Sequence, residues 1–136
     1  MTRGERNNNP GNIREYANDP HWQGERATDD DPAFEEFDTP EDGIRALAKV
    51  LLSYQRKHGL RTVRQMIDRW APPNENNTGA YVDAVARDMG VLANSDVDLE
   101  SALRLFDMCK AIIRHENGRV IYPDAQIEDG VDRALT

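Results

Sequence analysis

LESALRLFDMCKAIIRHENG, residues 99–118, is the segment on which the fold class turns. Ala102, Phe106, Cys109 and Ile113 recur at intervals of three and four, the period of an α-helix that buries one face. Asp98 precedes the run as a candidate N-cap, and Asn117-Gly118 follows it as a helix stop. The segment predicts a core helix from about residue 99 to Glu116. One more step along its apolar face, past Ile113, arrives at Glu116, a carboxylate where an apolar side chain is expected.

The flanking sequence is also helical. Thr39 can cap a helix opening at Pro40, with Ile44, Leu47, Leu51 and Tyr54 on one face and Gly59 at its end. Thr62-Val63-Arg64-Gln65 is a capping box for a short helix carrying Val63, Met66, Ile67 and Trp70, stopped by Pro72-Pro73. A further helix is predicted from Thr78 to Met89, with Tyr81, Val82, Val85 and Met89 inward and Gly90 closing it. A last helix is expected from Asp124, with Ile127 and Val131 inward and Gly130 weakening it.

Residues 3–38 lack this period. They are rich in Asn, Asp, Gly and Pro, with Trp22, Phe34 and Phe37 as apolar anchors, and predict turns or a small β-hairpin. In Asn9-Pro10-Gly11-Asn12, Pro presets φ and Gly accepts positive φ, so a turn is expected. Asp29-Asp30-Asp31 reads as a solvated acidic loop, without the alternating ligands of a calcium loop. The prediction is a single mostly α (α+β) domain over residues 1–136, with a turn-rich lobe at 3–38 and a helical core at 39–135.

The 136 residues carry 17 Lys and Arg against 25 Asp and Glu, a net charge of −8. That balance opposes binding to nucleic-acid phosphates or an anionic membrane. The single cysteine, Cys109, precludes an intrachain disulfide, and no Cys/His grouping suggests a metal or other cofactor. The opening residues contain no apolar stretch, so neither a secretory signal nor membrane insertion is expected.

Three segments could carry chemistry. At Glu116, the end of an apolar stripe and the negative end of a helix dipole both favour a neutral carboxyl, as a general acid requires. An ordinary solvated helix-end glutamate fits the same position. His115 projects about 100° away around the helix and reads as a surface or packing residue. In Trp70-Ala71-Pro72-Pro73-Asn74-Glu75-Asn76-Asn77-Thr78, two prolines stiffen a loop bearing Glu75, Asn76 and Thr78. It could bind a ligand, or simply connect two helices with Thr78 as N-cap. The run from Arg6 to Arg14 offers Asn9, Asn12 and Arg14; amides suit the hydroxyl and N-acetyl groups of amino sugars, although turns favour Asn for local reasons. Trp22 and Trp70 could stack on sugar rings, with core burial the simpler fate for each.

RGERNNNPGNIR (3–14), WQG (22–24), DGIRALAKVLLSYQ (42–55), RWAPPNENNTGAYVDAV (69–85) and AIIRHENG (111–118) together resemble a group of bacteriophage and prophage virion proteins. These look related to the lysozyme-like superfamily of peptidoglycan glycosidases. The resemblance implies a lysozyme-like helical domain in circularly permuted order, with the Asn-rich lobe first and the Glu-ended helix last. It implies Glu116 as catalytic acid, with Asn9, Asn12 and Tyr81 lining the cleft. The expected reaction is scission of the β-1,4 bond after N-acetylmuramic acid, as a muramidase or lytic transglycosylase. Glu75 is the best second carboxylate, ahead of Glu35, Glu36 and Asp38. Bacterial peptidoglycan and other virion proteins are the implied partners. A chain made in the cytoplasm would reach the wall by holin release, virion delivery or secretion. The rival expectation is a non-catalytic virion or wall-binding domain.

Overall fold

In the computed structural model, which describes residues 1–16, 21–73 and 76–136, six helices account for the regular structure. They are α1 (Arg3–Arg6), α2 (Pro40–His58), α3 (Val63–Trp70), α4 (Thr78–Met89), α5 (Ala102–Asn117) and α6 (Asp124–Leu135). None of the described helices is long and apolar enough to cross a membrane. The five longer helices follow the sequence pattern closely. Thr39 accepts from the Asp42 amide at the start of α2, and Gly59 ends it in the left-handed region at φ 65°. Thr62 and Gln65 form the reciprocal capping box of α3.

Two caps fall one or more residues from their expected places. Asn77, not Thr78, accepts from the Ala80 amide and caps α4. Thr78 is the first helical residue, and its buried hydroxyl donates to the Ala71 carbonyl at 2.6 Å. Ser101 caps α5, while Asp98 accepts from the Glu100 amide and from Gln55, holding the preceding turn. Leu99 is buried in that turn rather than in the helix, and Ala102 is exposed.

Helix α5 packs against α2, α4 and α6, and α2 lies along α6. Leu47, Leu51, Leu105, Met108, Ile112, Ile127 and Val131 share the resulting core. Gly130 decides how closely α6 approaches: a Cβ there would stand 2.5 Å from the Ile44 side chain. A residue that weakens a helix in isolation is what lets this one dock.

In the N-terminal lobe the described residues form no strand. Single antiparallel bridges join Arg14 to Phe34 and Glu25 to Phe37, so residues 33–38 run between two partners. Four backbone bonds secure these flanks: Glu15 N to Ala33 O, Glu35 N to Ile13 O, Arg26 N to Glu36 O, and Asp38 N to Gly24 O, at 2.7–2.9 Å. This arrangement stands where the sequence suggested a hairpin, and the one-turn helix α1 has no counterpart in the sequence reading. Phe37 is buried, whereas Trp22 and Phe34 are half-buried.

The acidic run divides. Asp29 and Asp30 are exposed, but Asp31 is buried and organises the lobe. Arg3 donates to its two oxygens from Nε and Nη2, each at 2.6 Å, and Asn7 and the Ala33 and Phe34 amides donate as well. A fork of donors makes a charged group tolerable where an open loop was expected.

The lobe meets the core through Gly43 of α2, where a Cβ would come within 1.8 Å of the Asn8 carbonyl oxygen. Gly43→Ala and Gly130→Ala should each destabilise the protein by about 1–3 kcal/mol through overpacking. Gly79→Ala in α4, where the added Cβ meets nothing within 4 Å, should stabilise it by about 0.5–1 kcal/mol. Urea denaturation of the three variants distinguishes these effects. The Arg3 fork holds the Asp31 carboxyl well below the usual carboxylate range, against the opposing effect of burial. A group lowered in the folded state contributes stability that is complete above its unfolded pKa of about 4 and is lost as pH falls further. Asp31→Asn should therefore be less stable than the parent at neutral pH, and the gap should begin to narrow as pH falls below about 4 and go on narrowing towards the much lower folded-state pKa.

Candidate functional site

Glu116 lies in the last turn of α5, half-exposed, beyond the buried Cys109 and Ile113. Its carboxylate faces a cleft of about 490 Å³ between the N-terminal lobe and the helical core. Both oxygens are held from the sides. Asn12 Nδ2 donates to Oε1 at 3.0 Å, and the Tyr81 hydroxyl donates to Oε2 at 2.7 Å. Trp70 Nε1 in turn donates to the Tyr81 oxygen at 3.2 Å. The three donors come from the lobe, α4 and α3, so the carboxylate is a meeting point of elements distant in sequence.

Local geometry explains why each donor points inward. Asn9 O accepts from Asn12 N at 3.0 Å, closing the expected turn, but the left-handed residue is Asn12 at φ 52° and not Gly11. Asn tolerates that region better than most residues, and the conformation aims its amide at Glu116. Gly11 serves by its size instead: a Cβ would press on Leu47 and Trp70 at 3.1–3.2 Å. Tyr81 is buried and stacks its ring on His115, with centroids 3.7 Å apart. Burial, followed by the adjacent Glu116 charge and hydrogen bond, pushes its hydroxyl far above the usual tyrosine range. It therefore remains a neutral donor at any working pH.

The predicted residues separate into those at the cleft and those beneath it. Asn12, Arg14, Asn76 and Glu116 line it. Asn9 does not: it is fully buried, its amide donates to the Ile13 and Glu35 carbonyls, and its oxygen accepts from the Ile13 amide. Every polar atom of that side chain is spent on holding the lobe. Thr78 is likewise consumed by the Ala71 carbonyl, and Tyr81 reaches the cleft only through Glu116. Glu75 lies outside the described residues. Glu35 and Glu36 are buried on another side of the lobe, apart from the cleft, and Asp38 is exposed away from it.

Trp22 and Trp70, expected in the core, are both half-buried and both line the cleft, together with Tyr16, Phe34 and Tyr54. Burial raises the Tyr54 hydroxyl to about 12, with Arg69 opposing. Arg69, a further lining residue absent from the sequence reading, has its guanidinium 5.5 Å from the Tyr54 ring centroid. Asn117 is the other omission. Read only as a helix stop, it is buried, donates to Pro10 O and Ile113 O at 2.9 and 2.8 Å, and accepts from the Thr2 hydroxyl at 2.7 Å. The capping box of α1, in which Thr2 pairs with Glu5, was the available signal that this hydroxyl is fixed in place.

Chemically, a carboxylate between an amide and a neutral phenol, facing an aromatic-lined cleft, suits proton exchange with an uncharged polar ligand that stacks on ring faces. No grouping of His, Cys, Asp and Glu capable of holding a metal ion occurs among the described residues.

Comparison with known proteins finds 41% identity over 131 residues to Protein P5 of Pseudoalteromonas phage PM2, covering 96% of this chain and 80% of that protein. No family model matches.

Tyr81→Phe keeps the ring stack on His115 but leaves Trp70 Nε1 and Glu116 Oε2 without their shared partner. The loss should cost about 1–3 kcal/mol in urea denaturation and alter the tryptophan emission of the folded state. An unchanged midpoint and spectrum would show that the hydroxyl does not bridge the two groups.

Proposed function

The chain belongs to the family of Protein P5 of Pseudoalteromonas phage PM2, and from that premise we propose that it is a phage virion domain that engages bacterial peptidoglycan and cleaves its glycan strand. The reading is carried by one observation: Glu116 faces an aromatic-lined cleft with both of its oxygens oriented by side-chain donors. A lysozyme-like arrangement is part of the proposal. Its supports are a helix ending in the carboxylate, a bridged Asn-rich lobe across the cleft, and a tyrosine-bearing helix beside it.

In this mechanism Glu116, protonated, delivers its proton to the β-1,4 glycosidic oxygen after N-acetylmuramic acid while positive charge develops at the sugar carbon. The carboxylate left behind is the form that Asn12 and Tyr81 are arranged to stabilise, since both donate to it. Trp70 keeps the Tyr81 proton directed at Glu116 by occupying the phenol oxygen. Among the described residues that line the cleft, Glu116 is the only acid. As a lytic transglycosylase, the same group takes a proton back from the sugar's own 6-hydroxyl as that oxygen closes on the anomeric carbon; as a hydrolase, a second carboxylate, for which Glu75 is the candidate, would activate water.

A second reading is a virion or wall-binding component that does not cut. The likeness to a phage protein supports it more directly than it supports the enzyme, and the engagement of both Glu116 oxygens suits a carboxylate that ties three segments together.

Digestion of purified sacculi separates the two. The enzyme reading expects soluble fragments ending in anhydromuramic acid, with the rate falling about 10²–10⁴-fold in Glu116→Gln. Reducing ends would assign hydrolysis instead. Equal inertness of the parent and Glu116→Gln across the pH range would leave the non-catalytic reading.

A further inference from the structure

The last turn of α5 grips α4 through three successive residues. Arg114 Nη1 pairs with Asp88 Oδ1 at 3.5 Å, the His115 ring stacks on the Tyr81 ring, and Glu116 accepts from the Tyr81 hydroxyl. Asp88 and Tyr81 stand two turns apart on α4 and so share a face. Tyr81 is thus held twice by neighbouring residues of one helix, through its ring face by His115 and through its oxygen by Glu116.

Tyr81 is buried and belongs to the core, whereas His115 is exposed, so the imidazole is the cover between one face of the phenol and water. The two centroids are 3.7 Å apart and the ring planes differ by 26°, a stacked arrangement that aromatic pairs favour when offset. The stack bears on the chemistry because a phenolic O–H lies in the plane of its ring. Trp70 Nε1 and Glu116 Oε2 hold the oxygen, but bonds to that one atom leave the tilt of the ring about it open. A tilt swings the O–H off the carboxylate, and a ring laid against the face opposes it. We propose that His115 is a positioning residue for Glu116: by setting the plane of Tyr81 it aims the phenol at Oε2 and fixes the direction in which the carboxylate faces the cleft. The effect on rate rests on the assignment of Glu116 as the acid, while the alignment itself does not.

The carbon-13 resonance of the Glu116 carboxyl group, assigned with Glu116→Gln and followed at one neutral pH, tests the alignment in the folded protein. Tyr81→Phe marks where that signal lies once the phenol bond is lost. His115→Ala and His115→Gln remove the ring and should move the signal towards that mark. His115→Phe keeps a ring in the stack and should hold the signal near its position in the parent. Product release from sacculi should fall about 10-fold to 100-fold in the two ringless variants, the scale of a misaligned site, and recover in His115→Phe. A signal unmoved in the ringless variants, or moved as far in His115→Phe, would overturn the proposal. Lower stability in urea with an unmoved signal would reduce the stack to packing and overturn it as well. So would an active parent whose rate survives loss of the ring. Should the parent release no products while the signal shifts as described, the glycosidase is rejected and the alignment of Glu116 by His115 stands.

Discussion

The side chain of Asn117 joins the end of the core helix α5 to the N-terminal loop, and the cleft exists because of that join. Its amide donates to Pro10 O and its oxygen accepts from Thr2, one residue after Glu116. Gly4 leaves room for the contact, since a Cβ there would come within 2.6 Å of the Asn117 oxygen. With residues 2–10 fixed in this way, the turn that follows delivers Asn12 to Glu116. Helix C-termini end in unsatisfied carbonyls, and a left-handed Gly118 with a buried Asn117 turns that end into an attachment point.

The same economy runs through the lobe. It has too little apolar surface and too few ladder bonds for a free-standing sheet, which needs several paired strands or a packed face. Its order comes from polar side chains acting as struts: Asp31 gathers Arg3, Asn7 and two backbone amides, and Asn9 gathers both flanks of a loop. Buried polar groups are costly unless satisfied, so each strut also specifies a unique arrangement. Much of the Asn-rich composition is therefore scaffold. Asn12, which lines the cleft and holds the carboxylate, is the exception.

Helix positions were legible because periodicity and capping are local. Thr39, Gly59, the Thr62–Gln65 box and Gly90 bound their helices where the pattern placed them. Misplaced caps at Asp98 and Thr78 show the limit of that reading. Several Asx and hydroxyl residues stand side by side at those boundaries, and which one caps depends on what else claims the others. Gln55 and the Glu100 amide claim Asp98, and Ala71 O claims Thr78.

From the sequence alone came a single mostly helical chain, its core stripes, and Glu116 as the polar residue that interrupts the α5 face. Those conclusions follow from spacing along one segment at a time. Only the tertiary structure decided which asparagine meets Glu116, that the Tyr81 hydroxyl donates to the carboxylate, that Trp22 and Trp70 face the cleft, and that Arg69 lines it as Arg14 does. Each of these is a contact between segments tens of residues apart. Such contacts are set by how closely helices and lobe approach, and here small residues decide that distance. Gly11 and Gly130 read as turn and weak-helix signals in sequence and Gly43 gave no signal there, yet all three act through the atoms they leave room for.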